Sequence, residues 1–77
     1  MNTLELLVEI TKELTEIEQI NVKETLLSQL DSIDLARLII DIEDRFWLDL
    51  DDSVVHEYNT LEKLAQFIDG ELFNQIV

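Results

Sequence analysis

Cysteine and proline are absent from the 77-residue chain, and glycine and histidine each occur once, as Gly70 and His56. Without cysteine the chain can form neither a disulfide nor a thiolate metal site. The near absence of proline and glycine argues against an all-β domain, because such a domain needs many tight turns. The single histidine is accompanied by no cysteine and by no spacing that suggests a base beside an oriented nucleophile, so the sequence predicts a protein that is not an enzyme.

Basic residues are also scarce. The chain has 5 lysines and arginines against 18 acidic residues, a formal net charge of -13. This charge repels phosphates and therefore argues against binding to nucleic acids or anionic membranes. It favours basic protein partners, although acidity can also serve solubility alone. No apolar run is long enough for membrane insertion and no signal peptide is visible, so a cytoplasmic location is expected.

Hydrophobic periodicity predicts an all-α fold in a single domain of residues 1–77, with three longer helices and one short helix. A long loop pinned by apolar side chains is expected between the first two helices, over residues 19–30. A second loop, over residues 47–52, is expected to be anchored by its apolar residues, Trp47, Leu48 and Leu50. The expected helices cover about residues 3–18, 32–46 and 53–58, and a last segment that is capped by Thr60 and contains Gly70 or ends at it.

Two acids and a serine, Asp49, Asp51 and Ser53, alternate as they do in a calcium-binding loop. Such a loop needs a glycine where Val54 stands and a bidentate glutamate where Thr60 stands. The sequence therefore predicts no specific calcium site.

Asp31 and Ser32 begin the most regular helical pattern of the chain. Asp31 is a good N-cap, because its carboxylate can accept a free backbone N–H of the first turn. Ser32 then lies in that first turn, where the helix covers a hydroxyl least. Residue type alone leaves two interpretations open, a chemically used hydroxyl and an ordinary first-turn polar residue.

Ile33 and Ile40 fall opposite the apolar stripe of this helix, next to Ala36, Arg37 and Asp44. Exposed apolar groups rimmed by charge are typical of protein interfaces, so these residues could form a docking strip. The alternative is that the preceding loop covers both isoleucines. The stripe that faces the core consists of Leu35, Leu38, Ile39, Ile42 and Phe46.

The run Leu30-Asp31-Ser32-Ile33-Asp34, followed by an aliphatic helix that ends in Glu43-Asp44-Arg45-Phe46, resembles the acyl carrier protein family. Leu50 and the threonine-capped segment 60–68 continue the resemblance over nearly the whole chain. The resemblance implies a four-helix bundle of acyl-carrier type. It also implies that Ser32 carries 4′-phosphopantetheine from coenzyme A, so that the cofactor supplies a thiol that the chain itself lacks.

The resemblance also implies partners. These are a phosphopantetheinyl transferase, for which Asp31 would serve as a magnesium or enzyme contact, an acyl- or aminoacyl-loading ligase or acyltransferase, and downstream synthase or transferase enzymes. The implied docking face comprises Ile33, Ala36, Ile40, Glu43 and Asp44, with Arg37 as a specificity element. The residues of the helix stripe and Leu50 are expected in the core, and some of this set are also expected to line a space for an acyl chain. Reversing the charge of both Glu43 and Asp44 is expected to slow loading without unfolding the protein.

The chain departs from the family pattern in two places. The segment before Asp31 is about two residues short and lacks the usual glycine, and Arg37 stands where fatty-acid carriers commonly have an acid. These departures favour a discrete carrier of a specialised pathway for a polyketide, a modified fatty acid or an activated amino acid over one of housekeeping fatty-acid synthesis. A monomer is expected, because a carrier must visit several enzymes in turn. The alternative function is an unmodified, carrier-like adaptor that acts only by protein–protein binding.

Overall fold

The computed structural model describes residues 2–76, and of residues 75 and 76 it describes the backbone alone. Within this range the regular elements are helices, which confirms the predicted all-α class. The helices are α1 (Thr3–Thr15), α2 (Leu26–Gln29), α3 (Ser32–Phe46), α4 (Asp52–Glu57) and α5 (Leu61–Ile76). None of them is both long and apolar enough to cross a membrane.

The first helix ends at Thr15, three residues before the predicted Glu18. Glu16 adopts a left-handed conformation with φ of 61°, and its N–H donates to the carbonyl of Lys12. The Thr15 hydroxyl also accepts the N–H of Ile17 at 3.2 Å. These bonds close the last turn, so Ile17 packs against the core from the loop and not from a helix face.

The predicted loop over residues 19–30 contains one helical turn, α2, which the sequence analysis missed. Its irregular apolar pattern gave no helical stripe, because four residues are too few to show one. Leu26 at its start and Leu30 just after it are both buried. These two leucines fix the approach of the chain to α3.

Two backbone hydrogen bonds tie this loop to the junction of α4 and α5. The N–H of Leu26 donates to the carbonyl of Asn59 at 2.8 Å, and the N–H of Glu62 donates to the carbonyl of Val22 at 3.1 Å. The Gln29 side chain also bonds to both backbone groups of Asn21 at 2.8 Å. The loop is therefore part of the folded unit.

The core lies where α1 packs against α3 and α5, with α2 against α3. Leu35, Ile39 and Phe46, expected in the core stripe of α3, are only partly buried at its edge. Gly70 lies inside α5. The buried hydrophobic residues are Leu7, Ile10, Leu26, Leu30, Leu38, Ile42, Leu48, Leu50, Leu61, Leu64, Ala65 and Ile68.

Candidate functional site

Asp31 caps α3 as the sequence predicts. Its Oδ1 accepts the backbone N–H of Asp34 at 2.7 Å, and its own carbonyl accepts the N–H of Leu35 at 3.0 Å. The cap fixes the first turn of α3, and the buried Leu30 anchors the chain immediately before Asp31. The cap and the buried Leu30 together therefore fix the position of Ser32.

Ser32 is the first residue of α3 and is exposed. In the part of the chain that the structure describes, its hydroxyl makes no hydrogen bond to protein. The first-turn N–H groups of Ser32 and Ile33 have no acceptor within the helix. The hydroxyl is thus accessible and lies beside backbone donors that suit an anion.

An open groove of about 420 Å³ begins at Ser32. Its polar members are Ser32 and Asp52. Leu38 and Ile42 of the expected helix stripe are fully buried and do not line the groove, and Phe46 does not line it either. Leu27 and Val55 also line it, although neither was among the residues expected to do so. The apolar lining residues are Leu27, Leu35, Ala36, Ile39, Ile40, Leu50 and Val55.

A second concavity of about 400 Å³ shares the wall formed by Leu27, Leu35, Asp52 and Val55. It extends away from Ser32 toward a polar rim that includes His56. The two concavities therefore adjoin, and residues of α2, α3 and α4 line both of them. The other residues that line the second one are Thr25, Leu26 and Asn59.

Ile33 and Ile40 are exposed, with 71% and 59% of their surface accessible. The loop therefore does not cover them. Ala36 and Asp44 are also exposed, and so is Arg37, whose guanidinium lies 3.5 Å from the carboxylate of Asp34. These residues form an apolar strip with charged neighbours along the outer side of α3.

Glu43 differs from the other residues of the expected docking face. Its Oε2 accepts the backbone N–H of Leu50 at 2.8 Å, and its side chain is half-buried. The bond holds the loop after α3 against the helix. Glu43 therefore has a structural role that the sequence pattern did not reveal.

Trp47 is the large residue that the sequence analysis placed wrongly. It was expected to anchor the loop after α3, yet 88% of its surface is exposed, while Leu48 and Leu50 are buried. It ends α3 with a left-handed φ of 56°. A seven-residue spacing from Ile33 through Ile40 to Trp47 was the available signal.

Helix capping at the start of α4 accounts for two residues of the acid–serine alternation, Asp51 and Ser53. Asp51 Oδ1 accepts the N–H of Val54 at 3.0 Å and the hydroxyl of Ser53 at 2.8 Å. These hydrogen bonds lower the pKa of Asp51, the Val54 bond most. The cap also explains why α4 starts at Asp52, one residue before the predicted Ser53. No group of three or more potential metal ligands gathers among the described residues.

A family model described as the phosphopantetheine attachment site matches residues 4–68. No curated protein and no solved structure gives a significant match. The matched range spans α1 to α4 and the first half of α5, and so includes Ser32 and the groove. The chain therefore belongs to the phosphopantetheine attachment site family, whose members carry the 4′-phosphopantetheine prosthetic group.

Proposed function

We propose that the protein is an acyl or aminoacyl carrier in which the Ser32 hydroxyl is the attachment point of 4′-phosphopantetheine. One observation carries the assignment. Ser32 is an exposed residue at the capped end of α3, with a hydroxyl that no described residue binds, and it opens directly onto an apolar groove.

The residues at this end of α3 fit the group. The N–H groups of Ser32 and Ile33 can bind a phosphate diester, while the Asp31 carboxylate occupies the N–H of Asp34. When bound, the group supplies the thiol that holds a cargo as a thioester. The protein's part is to hold the attachment oxygen in place and to offer the cargo a sheltered surface.

The groove supports a cargo with an apolar portion. Leu35, Ile39 and Leu50 of the expected lining set form part of its wall, and Val55 closes it from α4. Burial of apolar surface contributes about 25 cal/mol per Å², so a short aliphatic chain gains by entering. Fatty-acid, polyketide and other specialised biosynthetic pathways all use such cargo, and an activated amino acid remains an alternative cargo.

The exposed strip formed by Ile33, Ala36 and Ile40, with Arg37 and Asp44 beside it, is the proposed docking face. Its partners would be a phosphopantetheinyl transferase, a loading ligase or acyltransferase, and downstream synthase or transferase enzymes. The net charge of -13 favours partners with basic surfaces. Carrier domains of this family are generally not catalytic themselves.

The second candidate function is an unmodified adaptor that binds partners through the same strip. The short segment before Asp31, which lacks the usual glycine, favours this alternative. The cytoplasmic location, the monomeric state and the single domain over residues 1–77 stay predictions.

Intact mass measurement separates the two functions. The protein is incubated with coenzyme A, magnesium and a broad-specificity phosphopantetheinyl transferase, beside the Ser32→Ala variant and the matched Ser28→Ala variant, which changes an exposed serine in α2. A carrier gains one phosphopantetheine in the parent and in Ser28→Ala, and none in Ser32→Ala. No gain in the parent, with a control carrier fully loaded and the protein folded by circular dichroism, contradicts the proposed attachment.

A further inference from the structure

Trp47 combines two features that folding does not explain. Its side chain is 88% exposed, so it contributes little to the core. Its φ of 56° is a conformation that glycine or asparagine adopts more readily than a bulky residue. Neither packing nor the local backbone therefore favours tryptophan at this position.

Trp47 lies at the carboxyl end of the helix that carries the exposed Ile33 and Ile40. Ile33, Ile40 and Trp47 follow one another at intervals of seven residues. Seven residues complete nearly two helical turns, so Ile33 and Ile40 lie on one side of α3, and Trp47 follows at the carboxyl end of the helix. Trp47 is about 20 Å along the helix from Ile33, which lies in the same turn as Ser32.

The charges around Trp47 define what can cover it. Asp44 and Asp49, on either side of it in sequence, are exposed, and no described cation lies within ion-pair distance of either. The two arginines of α3 are engaged by acids of their own helix, Arg37 by Asp34 at 3.5 Å and Arg45 by Asp41 at 2.9 Å. A second copy of the chain would bring a further charge of -13 and be repelled, so a basic protein surface fits best.

An arginine side chain meets both requirements of this surface. A guanidinium stacks on an indole face and pairs with carboxylates at the same time. We propose that Trp47 is a specificity-determining residue that binds an arginine of the phosphopantetheinyl transferase that modifies Ser32. Asp44 or Asp49 would form an ion pair with the same guanidinium. This inference rests on the proposed carrier function and adds a contact at the far end of α3 from the attachment point.

The test measures initial rates of loading by the transferase as a function of carrier concentration. The variants are Trp47→Asn, Trp47→Phe and the control Phe73→Asn, which removes an exposed aromatic residue from α5. Asparagine suits the left-handed conformation, so Trp47→Asn is expected to fold at least as stably as the parent. We expect it to raise KM about tenfold without changing kcat, whereas Trp47→Phe raises KM by less than about threefold because a weaker aromatic face remains. Phe73→Asn is expected to match the parent.

Salt provides a second readout, since the KM of the parent should rise with ionic strength and the gap to Trp47→Asn should narrow. Equal KM values for Trp47→Asn, Phe73→Asn and the parent, with Ser32 loaded in all three, would overturn the inference and leave the carrier function intact. A KM rise with lost helical signal would make Trp47 a structural residue and would also overturn it. If the parent gains no mass while a control carrier is loaded, the carrier function fails and the inference falls with it.

Discussion

Glu43 Oε2 accepts the backbone N–H of Leu50, seven residues further along the chain, at 2.8 Å. Because Leu50 is buried, its N–H has little access to water and depends on this acceptor. Since Leu50 also lines the groove near Ser32, the bond means that Glu43 helps to position a residue of the groove wall.

Glu43→Ala is therefore expected to destabilise the protein by about 1–3 kcal/mol, the typical cost of leaving a buried N–H without a partner. Glu43→Gln keeps an acceptor oxygen and should lose less than about 1 kcal/mol. Urea unfolding followed by circular dichroism measures both. Equal stability of Glu43→Ala and the parent would show that the bond contributes nothing. Reversing the charge of Glu43 is therefore expected to lower the stability of the protein, contrary to the expectation from the sequence.

Asp44→Lys should separate binding from folding. Asp44 is exposed near the carboxyl end of α3, where a cation interacts well with the helix dipole, so stability should stay the same or rise by up to about 1 kcal/mol. Loading should slow about three- to tenfold through KM at low salt, and less at high salt. The control is Glu13→Lys, which makes the same change of charge on an exposed residue of α1. Equal slowing by both variants would mean that total charge, and not the strip on α3, steers the transferase.

Asp51 predicts a specific dependence of stability on pH. The hydrogen bonds from Val54 and Ser53 lower the pKa of Asp51 in the folded state. Its contribution to stability is therefore complete above the ordinary aspartate pKa and is lost as the pH falls through the lowered pKa. Asp51→Asn keeps a capping side chain that does not titrate.

The measurement is the difference in unfolding free energy between the parent and Asp51→Asn from neutral to strongly acidic pH. This difference should favour the parent at neutral pH and shrink with acidification. Asp49→Asn controls for the removal of one negative charge from the same loop. A difference that stays constant over the whole range would contradict the role given to the Asp51 cap.

Gly70→Ala is expected to stabilise the protein by about 0.5–1 kcal/mol, because glycine in a helix interior is disfavoured relative to alanine. A methyl group at this position would meet no atom within 4 Å. Thermal unfolding followed by circular dichroism checks the change. A lower Tm for Gly70→Ala than for the parent would contradict this expectation.

The sequence was sufficient for the long helices because each has a stripe of apolar residues at helical spacing and a polar N-cap. Asp31 and Thr60 were both expected as caps, and the side chain of each accepts an N–H of the helix that follows. The exposed position of Ser32 also follows from its place just after such a cap. These features depend on residues that are close together in the sequence, so the sequence pattern is sufficient to predict them.

Features that depend on distant neighbours were missed. The turn of α2 has no periodicity of its own and is held by the carbonyl of Asn59, more than thirty residues away. Glu43 looked like a surface acid because its partner is a backbone N–H, which every residue but proline has. Trp47 looked like a core residue because tryptophan usually is highly buried, and only the fold shows that Leu48 and Leu50 fill that space instead.

The ties between the loop before Ser32 and the start of α5 join main chain to main chain, Leu26 to Asn59 and Val22 to Glu62. Such bonds are indifferent to side-chain identity, so the path of the loop does not depend on the charges it displays. Lys23 and Glu24 can therefore be exchanged for other exposed residues while the serine stays where it is. Substitutions at these exposed positions could therefore change the electrostatic potential near the site, and with it the preference for partners, without changing the fold.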